Sequence, residues 1–314
     1  MSNYTIISDS SCDLTQDLRE RFGIKDYLPG VMYFPDGRTL SADLDWNIIS
    51  PNEYYSSMNS RSPLYKTAAC PMGTITEIFE KYLAAGEDVL CLTLSSGLSS
   101  TYNDCVSVGK DLMEKYPDRK VICVDSQRYS TALGLLVVTA CLKREEGLSL
   151  EENAAFLEQE KYRIHQSGIM DDLFFLVKTG RISNFKAFFG SLIGINLTAD
   201  FNHNGICEVL SRFKGKPTAL EAVVRYMERT IQNPQEQIVF VAHSNREAVA
   251  QKLADMIEAR IKPKEIILSN VGMSCGASIG PGLCAAFYKG EPISENLVTE
   301  HAIMDEITNE LKLK

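Results

Sequence analysis

Three segments of this chain combine glycine with hydroxyl side chains, the composition from which anion sites are built. They are Lys66-Thr67-Ala68-Ala69-Cys70-Pro71-Met72-Gly73, Leu94-Ser95-Ser96-Gly97-Leu98-Ser99-Ser100-Thr101-Tyr102 and Gly276-Ala277-Ser278-Ile279-Gly280-Pro281-Gly282. Small residues ahead of a helix expose backbone amides that attract phosphate or carboxylate, and hydroxyls add further donors. None of the three reads GxxxxGK[ST], and none is a GxGxxG between a strand and a helix, so nucleotide binding has no support. Each segment reads equally well as an ordinary turn and cap.

Nucleophilic chemistry has less to stand on. GxSxG, the strand-to-helix elbow of serine hydrolases, is absent. Cys70 and Cys275 are thiols near the glycine segments and His243 is a base by type, but no spacing joins them. An acyl or phosphoryl transferase using either cysteine is therefore the alternative reading. The nine cysteines (12, 70, 91, 105, 123, 141, 207, 275 and 284) are odd in number, with no CxxC, and the four histidines make no HxH or HxxxH. Neither a metal nor a cofactor is expected. Cys91 in Val89-Leu90-Cys91-Leu92 and Cys123 in Val121-Ile122-Cys123-Val124 read as small core residues kept reduced.

The bulk composition narrows the partners. The chain has 314 residues, 45% hydrophobic and 23% charged, with net charge -9 and no basic stripe. Nucleic acid and anionic membrane surfaces are disfavoured by that charge. Its first residues read as a strand rather than a leader, and no apolar run approaches the ~18 residues of a membrane helix. A cytoplasmic protein without stable membrane insertion is expected.

The elements that must position these residues come from periodicity. Tyr4 to Ser8, Val89 to Leu94 and Val121 to Val124 are short apolar runs without alternation, each ending in a turn bearing Ser or Asp. Ser11 or Asp13 would cap a short helix after the first; helices follow at about 101–115 and 131–146. Such alternation predicts a mainly parallel sheet with helices on both faces. Ligands collect at the carboxyl ends of such strands, so Ser8-Asp9-Ser10, Ser95-Ser96 and Asp125-Ser126 should share one rim.

The second half reads more loosely. A polar helix over 151–165 is followed by the apolar Leu173-Phe174-Phe175-Leu176-Val177 and by an apolar stretch over 185–195. Strands are expected at 208–213, 238–242 and 265–271, and helices at 219–231 and 246–260. The division predicted is an α/β domain over 1–165, a mixed α+β domain over 166–290 and a helical tail over 291–314. Ile303, Ile307 and Leu311 form one stripe that should dock the tail on the body.

Taken in order, these segments resemble the DegV family, which includes the fatty-acid-binding B proteins of bacterial fatty acid kinases. Ile7-Ser8-Asp9-Ser10-Ser11-Cys12-Asp13-Leu14 is similar to its opening strand and turn, and Ser95 to Tyr102 to its SSGLSGTY. Asp125-Ser126 with Gly134, Gly180-Arg181-Ile182 and Gly280-Pro281-Gly282 match later landmarks.

The resemblance implies a two-domain α/β protein holding a palmitate-, stearate- or oleate-like fatty acid between its domains, with no activity of its own. It also implies a separate kinase that forms the acyl phosphate, with Arg181 facing headgroup and kinase. Thr67 and Ser95 or Ser96 would hold the carboxylate, with Ser278 nearby. Phe174, Phe175, Leu176, Phe188, Phe189, Leu192 and Ile193 are the residues expected along the acyl tunnel.

Two departures stand out: the family's TSQPS is Thr67-Ala68-Ala69-Cys70-Pro71, and Ser278 replaces the histidine of GAHTGPG. A serine donates a hydrogen bond but carries no positive charge. A carrier or sensor with no kinase is therefore the second alternative. Burying about fifteen methylenes gives roughly 12 kcal/mol before binding costs. A hydrogen bond to the carboxylate gives roughly 1.5–3 kcal/mol, so the tail sets affinity and the head sets orientation.

Overall fold

The structure is a computed structural model that describes residues 4–59, 62, 64–171, 173–183 and 194–312. Phe188, Phe189, Leu192 and Ile193 lie outside the described residues. The chain folds into two units. Met1–Ile48, Pro63–Lys161 and Gly272–Cys275 make the first; Ile49–Ser62, Tyr162–Val271 and Gly276–Lys314 make the second. No described helix is long and apolar enough to cross a membrane.

The first unit contains β1 (Tyr4–Asp9), β2 (Tyr27–Leu28), β3 (Val31–Tyr33), β4 (Thr39–Ser41), β5 (Lys66–Ala68), β6 (Asp88–Thr93) and β7 (Val121–Asp125). Its main sheet has the order β2-β1-β6-β7, every pair parallel. Ile6, Ile7, Leu90, Cys91 and Leu92 are all fully buried, so both faces are covered, as unbroken apolar runs require. On one face Ile75 and Phe79 of the helix Met72–Ala84 and Cys105 and Leu112 of Thr101–Lys115 pack on Ile7, Val89 and Cys91.

The helices Thr131–Glu145 and Leu150–Glu160 pack together and against the same strands. Every residue from Thr131 to Cys141 is buried, which an all-round apolar helix requires. Gly134 lets this helix approach β1: a Cβ there would lie 2.3 Å from the Cys12 carbonyl oxygen. Gly134→Ala should lower unfolding free energy by about 3 kcal/mol, read as a lower urea midpoint. An unchanged midpoint would show that the turn after β1 yields freely.

The segment around Thr67, read as a turn and cap or an anion site, is instead β5, an outer strand of the small antiparallel sheet β4-β3-β5. The helix after it starts at Met72, with Pro71 at its N-cap.

The second unit contains β8 (Ile164–Met170), β9 (Ile182–Ser183), β10 (Ile195–Phe201), β11 (Cys207–Lys214), β12 (Ile238–His243), β13 (Glu265–Asn270) and β14 (Leu283–Lys289). They form one mixed sheet, β13-β12-β14-β8-β10-β11-β9. The helix expected over 151–165 ends at Glu160, because Ile164–Met170 is a central strand paired along its length with β14.

The polar residues of β8 find partners inside the unit. His165 Nδ1 faces Asp200 Oδ2 at 2.7 Å and its Nε2 faces the Glu291 carbonyl at 2.7 Å. The Glu291 carbonyl can only accept, so Nε2 carries a proton and donates to it, while Nδ1 and Asp200 Oδ2 share one. Tyr226 donates to Asp200 Oδ2 at 2.9 Å, and the Gln166 and Phe201 amides to Oδ1 at 2.8 Å each.

The last helix, Val298–Lys312, packs on the helix Lys216–Thr230 and on β11, with Ile307 of the expected stripe buried and Ile303 and Leu311 half-buried. Met304 and Ile307 are buried, and Arg225 and Arg229 of the helix Lys216–Thr230 pair with Glu310 and Glu306.

Candidate functional site

Because β1, β6 and β7 are adjacent and parallel, their carboxyl ends lie along one edge. The turns bearing Ser8-Asp9-Ser10, Ser95-Ser96 and Asp125-Ser126 follow those strands there. Most of their polar groups are used internally. Asp9 accepts the Ser11 amide at 2.7 Å through Oδ1 and the Leu94 amide at 2.8 Å through Oδ2, tying β1's turn to β6's. Asp125 Oδ1 accepts the Ser96 and Gln127 amides, each at 3.1 Å, and its Oδ2 accepts the Ser96 hydroxyl at 2.5 Å. Ser8 donates to the Leu92 carbonyl at 2.9 Å and Ser126 to that of Arg128 at 3.0 Å.

This stitching separates Ser95 from Ser96. The Ser96 hydroxyl proton is committed to Asp125, and the residue is exposed. Ser95 Oγ instead accepts the Gly97 amide at 3.2 Å, which leaves its own proton for another acceptor. Its side chain is fully buried.

Thr67 is exposed in the middle of β5, opposite Met32. Ser10 joins that sheet to the rim, accepting the Gly30 amide at 3.0 Å while a Cβ on Gly30 would lie 3.0 Å from Ala68 O. Ser10 Oγ also meets Ser274 Oγ at 3.0 Å. Ser274 carries no motif signal beyond a hydroxyl beside glycine.

Asp13 is the residue that sequence reasoning misplaced. The helix after β1 is Gln16–Arg21, with Thr15 at its N-cap and no side-chain cap, so neither Ser11 nor Asp13 caps it. Asp13 is buried and accepts from the hydroxyls of Ser130 and Thr131. Ser130 holds an unusual backbone conformation, φ 59 and ψ -148, at the mouth of the helix Thr131–Glu145.

Burial outweighs these hydrogen bonds and pushes the Asp13 carboxyl up to about 7. Unfolded, the same group loses its proton near pH ~4. Between those values the unfolded chain binds fewer protons than the folded one, so stability falls as pH rises. Denaturant titrations between roughly pH 4 and pH 8 should lose up to about 4 kcal/mol, and Asp13→Asn should flatten that slope. A stability that rises over this range would contradict the assignment.

The other predicted residues belong to the second unit. Phe175 and Leu176 are buried and Phe174 half-buried, in the helix Phe174–Thr179. Phe175 lies against Gly280, whose φ of +75 and 2.2 Å clearance to the ring admit no side chain. The Arg181 guanidinium donates to the Thr179 carbonyl just after that helix. Gly276, Ala277 and Ser278, read as an anion-binding stretch or an ordinary turn and cap, are helical within Met273–Ile279, and Ser278 is half-buried.

A cleft of about 400 Å³ in this unit includes Asn52, His243, Asn245, Glu247 and Asn270 in its lining; the wall is polar apart from Pro51 and Leu268. It does not suit an acyl tail. There His243 Nδ1 accepts the Arg246 amide at 3.2 Å and burial lowers the pKa of the ring, so His243 serves its own strand end. Among the described residues, no group of three or more His, Cys, Asp or Glu is placed to hold a metal ion.

The family model described as "Uncharacterised protein, DegV family" matches residues 3–291. The chain belongs to the DegV family. A DegV domain-containing protein of Clostridium perfringens is 30% identical over 291 residues, 93% of this chain and 99% of its own. The DegV fold accounts for the parallel sheet of the first unit and the mixed sheet of the second. A DegV protein from Thermus thermophilus, solved for its fatty acid binding, aligns with TM-score 0.82 at 24% identity, over 91% of this chain and 99% of that one. A DegV protein from Eubacterium eligens loaded with heptadecanoic acid aligns with TM-score 0.78 at 19% identity, over 92% and 100%. At these identities the likeness to the solved DegV proteins concerns the fold.

Proposed function

We propose that this DegV protein binds one long-chain fatty acid and carries it, with Thr67 and Ser95 donating hydrogen bonds to the carboxylate. The observation that carries the reading is the Ser95 proton, which has no acceptor among the described residues, at the carboxyl edge of a parallel sheet, in a fold whose solved members include fatty-acid-bound proteins. Ser96 is set aside because its proton already belongs to Asp125.

Presentation of the acid to a separate fatty acid kinase is part of the proposal, with Arg181 as the kinase-facing residue and Ser278 near the head. Phe174, Phe175 and Leu176 are the proposed tail contacts. The competing cysteine transferase is disfavoured by desolvation. Burial pushes the Cys70 thiol up to about 12 and raises that of Cys275 well above its ordinary value, and protonated thiols are poor nucleophiles.

Native mass spectrometry of the purified chain tests the carrier reading. A co-purified mass of a few hundred daltons, lost on organic extraction, is the expected result. A chain that is empty and takes up neither labelled palmitate nor oleate overturns it. Ser278, where the family carries histidine, favours a second reading in which the acid is stored or sensed without a kinase. Ser278→His should then raise phosphoryl transfer by an added fatty acid kinase while leaving palmitate uptake unchanged. Equal transfer by both forms would remove the reason for that second reading.

A further inference from the structure

The polar cleft of about 400 Å³ in the second unit takes no part in the proposed carriage of fatty acid. It lies at the carboxyl ends of β12 and β13, a parallel pair, where α/β sheets gather their ligands. The last residues of these strands, His243 and Asn270, are register partners, so their side chains leave the same face side by side. His243 is 8% exposed, and its Nδ1 accepts the Arg246 amide. That bond fixes the tautomer. The ring proton sits on Nε2, which has no acceptor among the described residues. Burial lowers the pKa of the ring, against a smaller opposite pull from Glu247, so His243 is neutral at neutral pH. The Asn270 carboxamide likewise has no hydrogen-bond partner among the described residues. A fixed donor and a donor–acceptor pair therefore line the cleft from adjacent strand ends.

The rest of the lining selects by charge and shape. Glu247 is the one carboxylate among the described lining residues, and no Lys or Arg stands beside it. It opens the helix Glu247–Arg260, so the positive end of that helix is already answered and a further anion is repelled. Asn52 and Asn245 add two more carboxamides, each a donor and an acceptor in one plane, the pattern that neighbouring hydroxyls satisfy together. Pro51 and the 43% exposed Leu268 supply an apolar wall for C–H groups. No Phe, Tyr or Trp is among the described lining residues to stack on a nucleobase. The volume falls at the low end of the ~300–1,000 Å³ of small-molecule sites. We propose that this cleft binds a small, neutral, polyhydroxylated molecule of the monosaccharide class, with His243 Nε2 and the Asn270 carboxamide as its central partners.

The test follows the isotope-labelled histidines of the purified full chain by NMR, with glucose, mannose, galactose and ribose as probes and spermidine and inorganic phosphate beside them. His243→Asn assigns the resonance, because the asparagine Oδ1 takes over the Arg246 amide while the Nε2 proton is lost. The expected result is a neutral His243, protonated on Nε2, whose signals move saturably with at least one of the sugars. Asn270→Ala should weaken that sugar about tenfold, the worth of one hydrogen bond, and leave retention of labelled palmitate unchanged. Should that variant fail to fold, His243→Asn should show the same loss by saturation transfer from protein to sugar. A His243 that moves with none of the sugars overturns the proposal. So does one that moves with spermidine or phosphate alone, or a sugar affinity that neither substitution alters.

Discussion

The Thr67→Ala, Ser95→Ala double variant should lose most phosphoryl transfer from an added fatty acid kinase while keeping most of its palmitate. Each hydroxyl contributes roughly 1.5–3 kcal/mol to a carboxylate, so removing both costs transfer about 100-fold or more. The tail, at roughly 0.8 kcal/mol per methylene, keeps the acid bound. Single variants should fall between, and Ser96→Ala should act differently. It removes the brace to Asp125 and leaves the Ser95 proton in place, so transfer should persist while the turn loosens. Kinase-coupled formation of acyl phosphate, measured beside retention of labelled palmitate, separates head from tail. Unaltered transfer in the double variant would show that the head lies elsewhere.

Asp200→Asn should be the most damaging single change in the second unit. His165 and Asp200 are 1% and 0% exposed in their side chains, and the aspartate accepts from His165, Tyr226 and two amides. The amide NH2 that replaces one carboxylate oxygen cannot accept from Tyr226 or pair with His165 as the acid does, and breaking such a buried pair typically costs about 3–5 kcal/mol. Guanidinium unfolding, followed by a probe in this unit, should show the loss as a lower midpoint with an unchanged slope. Glu310→Ala, which breaks ion pairs at the surface with Arg225 and Arg229, should change that midpoint little. A small loss at Asp200 would mean that the network re-forms around the amide.

Much of the first unit could be read from its residues. β1, β6 and β7 are unbroken apolar runs closed by Ser or Asp, and no other element buries both faces so economically. The rim followed from their parallel order. What failed was wherever the partner lay far along the chain. Ile164-His165 reads as the end of a polar helix, because the partners of His165, Asp200 and Glu291, are distant in sequence. Asp13 resembles a helix cap for the same reason: Ser130 and Thr131, which claim it, come more than a hundred positions later. Ser95 and Ser96 are indistinguishable in a string of hydroxyls, and only Asp125 decides between them. β14 carried a local signal that went unused, the apolar Leu283–Tyr288 closed by Gly290.

The two aspartates of the rim have one more effect. Asp9 and Asp125 each reach across to the amides of the next turn, so neither loop is an independent hinge. A group as enclosed as Ser95 accepts a new neighbour only when the backbone around it gives way. That yielding is transmitted along the whole sheet margin, strand by strand, and the admission of a guest there becomes a collective rearrangement rather than the swing of a single flap.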